Sequence, residues 1–490
     1  MPEWVKIVNL IEGFGWIVLG GFSFHQLWLL TVWFRCRKRP PLPRQAFDLP
    51  PPVTVQLPIF NERYVVERLL DAVSNLDYPK DLLEIQVIDD STDDTTALVA
   101  RHVHRLANQG FRIIHLRRGQ RTGFKAGALS HGLLLAKGEM IALFDADFVP
   151  PPDFLRRTVD YFTDPSVGMV QTRWGHLNPS ESLLTRAEAL MLDGHFLIEQ
   201  VARSRAGYFS NFNGSAGIWR KQAIFDSGGW QPDTLTEDFD LSYRAQLRGW
   251  RFIYLSDVVV PAELPVQMSS LKAQQHRWTK GSIQTAMKLL PQVWRSSQPW
   301  RVKVEACFHF GNWFHYPLGL LVAVLVLPML VSRAPMATQA HMTWEGMVGC
   351  LLVATTVLFC SVTQRVRRGS LWRLLIDLPG LMTVTAGLAL NNTRAIWEAL
   401  CGVPSSFHRT PKYNGTYRQL NHKEYWPQPL RARWRGEVAL GLYICIALGY
   451  AASQALYTAL PFLVPLSAGF LYAGISSLAA ALSLRAPTDS

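Results

Sequence analysis

The sequence predicts an α/β domain on a mostly parallel sheet, joined to an α-helical transmembrane region with interfacial helices. Three observations predict it. Short apolar runs alternate with helical stretches between residues 53 and 260. Apolar segments near the length of about 20 residues that a bilayer core requires stand at the N-terminus and recur after residue 306. Four polar clusters are confined to the first 280 residues: Asp89-Asp90-Ser91-Thr92-Asp93, Asp145-Ala146-Asp147, Thr236-Glu237-Asp238 and Gln274-Gln275-His276-Arg277-Trp278.

The first apolar segment, Ile7 to Phe34, carries one charge, Glu12. It is too long for a signal peptide and lacks a basic start, and Arg35-Cys36-Arg37-Lys38-Arg39 stops it. Residues 1–39 therefore read as a transmembrane anchor and the Pro-rich residues 40–52 as a linker. From Val53 the runs 53–58, 84–88, 112–116, 140–144 and 167–172 read as strands separated by helices, the pattern of a parallel sheet covered on its faces. Ligands of such sheets gather at strand C-terminal ends, where Asp89-Asp90 and Asp145-x-Asp147 fall. Residues 261–305 read as interfacial helices bearing the Gln-Gln-His-Arg-Trp cluster, and 306–364 and 437–490 each as two spanning helices.

Segment 371–392 is apolar enough to be a sixth span. Crossing there would put residues 393–435 on the side opposite the 53–260 domain. That stretch holds Arg394, Arg409, Lys412, Arg418, Lys423, Arg431, Arg433 and Arg435 against Glu398 and Glu424, a composition retained on the cytoplasmic side. Residues 365–403 are accordingly expected to lie in the interface as an amphipathic helix bent at Pro379 and Gly380. Residues 404–436 then form a basic cytoplasmic loop. The expectation is five spans, an external N-terminus, and a cytoplasmic domain and C-terminus. The net charge of +12 fits cytoplasmic retention and anionic lipid; neither a zinc pattern nor a nucleic-acid motif accompanies it. Six scattered cysteines (36, 307, 350, 360, 401, 445) argue for reduced thiols and against a disulfide frame.

Each cluster has a chemical and a plain reading. Asp89-Asp90 and the Ser-Thr-Asp turn suit a base and ribose pocket together with Pro58, Asn61 and Glu62, or else cap a helix. Lys125 faces a phosphate at a helix start, or is a surface lysine. Asp145 and Asp147 project to one side of an extended chain, two hard oxygen donors suited to Mg²⁺ or Mn²⁺ beside a diphosphate, or a solvated acidic turn. Asp238, beside Glu237, is a base for an acceptor hydroxyl, or a helix cap. Arg277 offers a donor fork for a diphosphate and Trp278 a flat face for a sugar; the rival is an interfacial tryptophan anchor.

Gln56-Leu57-Pro58-Ile59-Phe60-Asn61-Glu62, the Asp-Asp-Ser-Thr-Asp turn, Lys125-Ala126-Gly127-Ala128-Leu129 and Asp145-Ala146-Asp147-Phe148 resemble family 2 inverting glycosyltransferases of the cellulose synthase superfamily. Asn213-Gly214-Ser215-Ala216-Gly217, Thr236-Glu237-Asp238 and Gln274-Gln275-His276-Arg277-Trp278 extend the likeness, which is nearest to glucomannan and mannan synthases and their bacterial relatives. The strong motifs cover residues 53–282. The resemblance implies a GT-A-like fold with Asp238, beside Glu237, as the catalytic base. It assigns Asp145 and Asp147 to the metal. Pro58, Asn61, Glu62, Asp89, Asp90, Lys125, Asp145, Gln274 and Arg277 go to the nucleotide, and Trp278, Asn213 and Gly214 to the acceptor. Ser405 to Lys412 resembles a gating loop, which makes Thr410 and Lys412 nucleotide contacts; a plain basic loop is the alternative. No cyclic-dinucleotide-binding domain or plant-type zinc domain is visible.

The function so implied is processive polymerisation of a β-linked glucan or (gluco)mannan from UDP-glucose or GDP-mannose in a plasma, inner or Golgi-type membrane. The expected partners are nucleotide-sugar donor, growing glycan and lipid bilayer, without nucleic acid; a homo-oligomer or accessory subunits stay open. The rivals are a non-processive glycolipid synthase and a membrane scaffold or transporter with a degenerate domain.

Overall fold

The computed structural model describes residues 3–333, 344–405, 410–415 and 434–483. Seven strands form one sheet: β1 (Val53–Ile59), β2 (Leu83–Asp89), β3 (Arg112–Arg117), β4 (Met140–Leu143), β5 (Val167–His176), β6 (Gly217–Arg220) and β7 (Arg251–Ala262). Their order is β3-β2-β1-β4-β6-β5-β7. Every pairing is parallel except the two made by β6. The helices are α1 (Glu3–Cys36), α2 (Val66–Ser74), α3 (Thr95–Asn108), α4 (Phe124–Leu135), α5 (Leu183–Gly194), α6 (Gln200–Ala206), α7 (Lys221–Asp226), α8 (Glu237–Leu247), α9 (Met268–Arg295), α10 (Trp300–Gly311), α11 (His315–Arg333), α12 (Trp344–Val366), α13 (Leu374–Leu400), α14 (Trp434–Ser453) and α15 (Leu460–Ser483).

Alternation along buried strands fixes which residues meet which layer. In β4, Met140 and Ala142 face a core shared with Leu69 and Leu70 of α2 and Val99 of α3. Ile141 and Leu143 face the opposite core, with Leu129 of α4, Trp219 of β6 and Leu241 of α8. Helices thus cover both faces, as a sheet with two apolar sides requires. Two strands escaped the sequence reading. β6 is four residues long, and β7 carries a register shift opposite Thr172/Arg173 that breaks its pattern.

Among the described residues, six helices are long and apolar enough to cross a membrane: Leu10–Cys36, Trp300–Ser332, Gly346–Val366, Leu371–Leu400, Trp434–Ser453 and Tyr457–Ala479. Length and composition therefore admit one helix more than the five expected spans. The additional one is the segment read as interfacial, and it is helical from Leu374 through Pro379 to Leu400. It packs against α5, α9, α11 and α15. Leu184 of α5, Leu271 of α9, Leu388 of α13 and Phe470 of α15 share one buried cluster. A second cluster ties α1 (Leu29, Trp33) to α6, α8, α9 and α10. The six cysteines are free thiols. Ser406 to Arg409 and residues 416–433, most of the basic loop, lie outside the described residues.

Candidate active site

A cleft of about 1250 Å³, open to solvent, runs along the C-terminal ends of β1, β2 and β4. It is lined by Pro58, Glu62, Asp90, Lys125, Asp145, Asp147, Asn213, Gly214, Glu237, Asp238, Gln274, Arg277, Trp278, Thr410 and Lys412. Side chains from eight separate segments thus converge.

At one end, Asp90 follows β2 and is gripped by Arg118. Arg118 Nε donates to Asp90 Oδ1 over 2.9 Å, and Nη2 to Oδ2. Arg121 lies over the Phe60 ring at 3.4 Å, making an aromatic and cationic wall beside Asp90. Asp89 and Asn61, expected at the nucleotide, are not among the residues that line this end. Neighbouring strand residues point to opposite faces, so Asp89 is buried where its neighbour meets the cleft. Asp89 Oδ1 accepts from Ser91 N–H (2.8 Å) and its Oδ2 meets His115 Nε2 (3.0 Å). Burial opposes its charge, but the hydrogen bonds from His115 and Ser91 outweigh it and hold the carboxyl at about 2. Asn61, at φ 55, ties two turns together: its N–H donates to Ser91 Oγ and its Oδ1 accepts from Thr92 N–H, both at 2.8 Å.

In the middle, each acid of Asp145-x-Asp147 is matched by a lysine. Lys125 Nζ reaches Asp145 Oδ1 at 2.6 Å and donates to Gly214 O at 2.9 Å. Lys412 Nζ, 265 residues further along the chain, reaches Asp147 Oδ2 at 2.7 Å and donates to Glu263 O at 2.8 Å. Burial works against both ammonium groups. The carboxylates of Asp145, Glu237 and Asp238 around Lys125, and of Asp147, Glu263 and Glu62 around Lys412, reverse it and raise both. Glu263 also anchors the 410–415 segment: Tyr413 N–H donates to it over 2.9 Å, and Arg68 pairs with it at 2.8 Å. Among the described residues no group of three or more His, Cys, Asp or Glu side chains forms a self-sufficient metal cage. Two hard carboxylates in one cleft, each already opposite a cation, fit a Mg²⁺ or Mn²⁺ ion that draws its remaining ligands from phosphate oxygens.

At the far end, the Asn213-Gly214 turn lies against Asp238. A Cβ on Gly214 would sit 2.9 Å from Asp238 Oδ2, and φ is +82, so only glycine brings backbone this close. Buried Gln171 brackets the turn: its Nε2 donates to Ser215 O and Ala216 O, and its Oε1 accepts from Asn213 N–H. Asp238 lies in the first turn of α8 and its Oδ1 accepts from Phe239 N–H at 2.8 Å. Burial first, and the adjacent Glu237 second, push its carboxyl up to about 7, against Lys125 and Arg277. Helix α9 is pressed onto the same place. A Cβ on Gly281 would fall 2.6 Å from Thr236 Cγ2, and Gln284 Oε1 accepts from Leu235 N–H at 3.0 Å. Arg277 and Trp278, one turn earlier, thereby enter the cleft. Asn213 is itself held by Gln200 Nε2 (2.8 Å) and His195 (3.2 Å).

Sequence reasoning missed Arg118, Arg121, Gln171, Glu263 and Arg68. Gln171 left one signal, a lone amide inside an apolar strand; the others look like ordinary surface charges until the fold closes.

Residues 50–281 match the family described as glycosyltransferase like family 2. Glucomannan 4-beta-mannosyltransferase 2 of Arabidopsis thaliana is 44% identical over 300 residues, 57% of this chain and 56% of its own length. Probable glucomannan 4-beta-mannosyltransferase 3 of Oryza sativa subsp. japonica is 44% identical over 370 residues, 74% of this chain and 62% of its own. The chain thus spans under two thirds of the length of these relatives. A mannosyltransferase from Pyrobaculum calidifontis, solved with GDP-Man and Mn²⁺, superposes with a TM-score of 0.51 at 25% identity. That superposition covers 71% of this chain and 98% of the other and gives the sheet its GT-A-like character. Residues 50–281 thus form a domain similar to the family 2 glycosyltransferases, and the chain is similar to glucomannan 4-beta-mannosyltransferases.

Proposed function

We propose that this protein is a membrane-embedded inverting hexosyltransferase that extends a β-1,4-linked mannan or glucomannan, with GDP-mannose as the first donor to test and UDP-glucose the second. One observation carries this reading: Asp145, Asp147, Asp238, Arg277, Trp278 and Lys412 share a single cleft. The names of the relatives favour mannose.

In this reading the nucleotide lies between Asp90 and Arg121, and its diphosphate meets Lys125, Arg277 and Lys412. Asp145 and Asp147 would hold a divalent ion, which when bound offsets charge on the leaving diphosphate. Asp238 removes the proton of the acceptor hydroxyl as that oxygen bonds to the anomeric carbon. The carbon–oxygen bond to the phosphate breaks on the opposite side, and the configuration inverts from α to β. Arg277 stabilises the departing phosphate by paired hydrogen bonds. Trp278 presents an apolar face to the terminal sugar. Processive growth and export are part of this reading because α9, which lines the cleft, packs on the apolar helices α13 and α15. The basic charge of the residues after α13 is what favours keeping it as an interfacial helix, with five spans and the domain in the cytoplasm; α13 itself packs on α15 and α11 as well as on α5 and α9.

The test is incubation of purified protein with GDP-mannose or UDP-glucose and Mn²⁺ or Mg²⁺, following nucleotide release and then digesting the product. A high-mass glycan cut by β-mannanase is expected. A single glycolipid would overturn the polymerase reading.

A further inference from the structure

Helix α5 brings two acids to the cleft region, and they differ in one respect. Asp193 is fully engaged: its Oδ1 meets His176 Nε2 at 3.1 Å and its Oδ2 meets Arg367 at 3.0 Å. Glu188 lines the cleft at 1% exposure, yet neither carboxyl oxygen has a hydrogen-bond partner among the described residues. The helix does not need it. Leu184 and Ala187 supply the buried contacts to α9 and α13, and the Ser182–Thr185 capping box starts the helix. A buried carboxyl left unsatisfied is destabilising, and an apolar residue of similar size would avoid that cost. Folding therefore gives no reason for this side chain, and a ligand does.

We propose that Glu188 is a sugar-binding residue whose carboxyl exchanges hydrogen bonds with hydroxyl groups of a hexose held in the cleft. The inference rests on the transferase reading above. Several features favour a neutral polyol over phosphate. Burial pushes this carboxyl up to about 8, against the pull of Lys412. A protonated carboxyl both donates and accepts, matching a hydroxyl pair. Leu192, one turn on, and Trp174 stand in the same wall and offer apolar surface to the C–H face of a sugar. Lys412, the cation that acts on this carboxyl, is already held by Asp147. The hexose is either that of the donor or the terminal residue of the acceptor.

The experiment uses full-length detergent-solubilised protein as wild type, Glu188→Leu and Glu188→Gln. Binding of GDP, GDP-mannose, UDP and UDP-glucose is titrated, and KM is measured for a manno-oligosaccharide acceptor. Free nucleotides should bind all three proteins alike. If the donor hexose is the ligand, Glu188→Leu loses the extra affinity of nucleotide-sugar over nucleotide by roughly tenfold, and Glu188→Gln recovers most of it. If the acceptor is the ligand, the same pattern appears in the oligosaccharide KM while donor affinity holds. Wild-type values for Glu188→Leu in both series overturn the proposal. Should Glu188→Leu fail to bind free nucleotide through misfolding, Glu188→Ser is read by the same criteria. A wild type that binds no nucleotide-sugar at all overturns the transferase reading, and this inference with it.

Discussion

Asp238 carries the chemistry and shows how its position sets its acidity. Burial and Glu237 raise its carboxyl to about 7, while Lys125 and Arg277 restrain the rise. The base must be ionised to accept a proton, so kcat/KM should fall on the acid side of about pH 7. Replacing Lys125 with Met should move that limb to higher pH. Asp238→Asn should lower transfer by about 10²–10⁴-fold while nucleotide binding persists. The stability sign is opposite. A carboxyl raised on folding from 3.8 to about 7 favours the folded state while protonated, and that contribution is lost as pH rises through this window. Asp238→Asn should therefore melt higher than wild type at pH 8, and a lower melting temperature would contradict the assignment. The residue types were legible in the sequence because clustered acids after apolar strands have few uses. Which of Asp89 and Asp90 meets the cleft was not. Strand alternation demands that only one does, but the sequence alone does not say on which face the ligand lies. Glu188 was invisible for a related reason: it sits inside an apolar helix, and only the empty space beside it marks it out.

Elements hold these residues in place by two devices. The first is the close contact of α9 with the Thr236 turn at Gly281. Gly281→Ala would put a methyl 2.6 Å from Thr236 Cγ2 and 2.8 Å from its backbone nitrogen, costing about 1–3 kcal/mol. It should also raise the acceptor KM as Arg277 and Trp278 withdraw, while free nucleotide binding is retained. The second is a buried polar chain from α1 to the cleft. His25 meets Glu305 at 2.8 Å, Glu305 meets Arg203 at 2.9 Å and Arg203 meets Glu199 at 3.1 Å. Glu199 then meets His195 at 3.3 Å, and His195 reaches Asn213. His195–Glu199 is a π-helical turn, a distortion frequent at functional sites. Arg203→Leu would leave half-buried Glu199 and buried Glu305 with only His195 and His25 as partners, about 3–5 kcal/mol of destabilisation, read as a drop in denaturant midpoint. The five strands expected from apolar runs are all present. The two missed ones are short or bulged, so period-two patterning had too little length to register.

At the scale of the whole molecule, α13 decides the topology. Among the described residues six helices meet the length and composition of a span, whereas the charge of the stretch after α13 argues for five. Composition counts the apolar residues of a helix whichever way they face; its contacts, here with α5, α9, α11 and α15, show what covers them. Cys401 is exposed at one end of α13 and Ser370 lies just before its other end. With the remaining cysteines removed, single thiols at Cys401 and at Ser370→Cys should both react with a membrane-impermeant maleimide from the cytosolic side alone. Labelling from opposite sides would make α13 a true span and move the basic loop across the membrane. The claim on which all else depends is that the dispersed acids, arginine and tryptophan act on one nucleotide-sugar. The measurement that tests it most directly is a cryo-electron microscopy structure of the full chain in lipid nanodiscs with Mn²⁺ and a non-transferable GDP-mannose analogue. The diphosphate is expected between Asp145, Asp147 and Arg277, with the hexose against Gly214 and Asp238. An analogue bound away from this cleft, or bound with its anomeric carbon turned from Asp238, would contradict it.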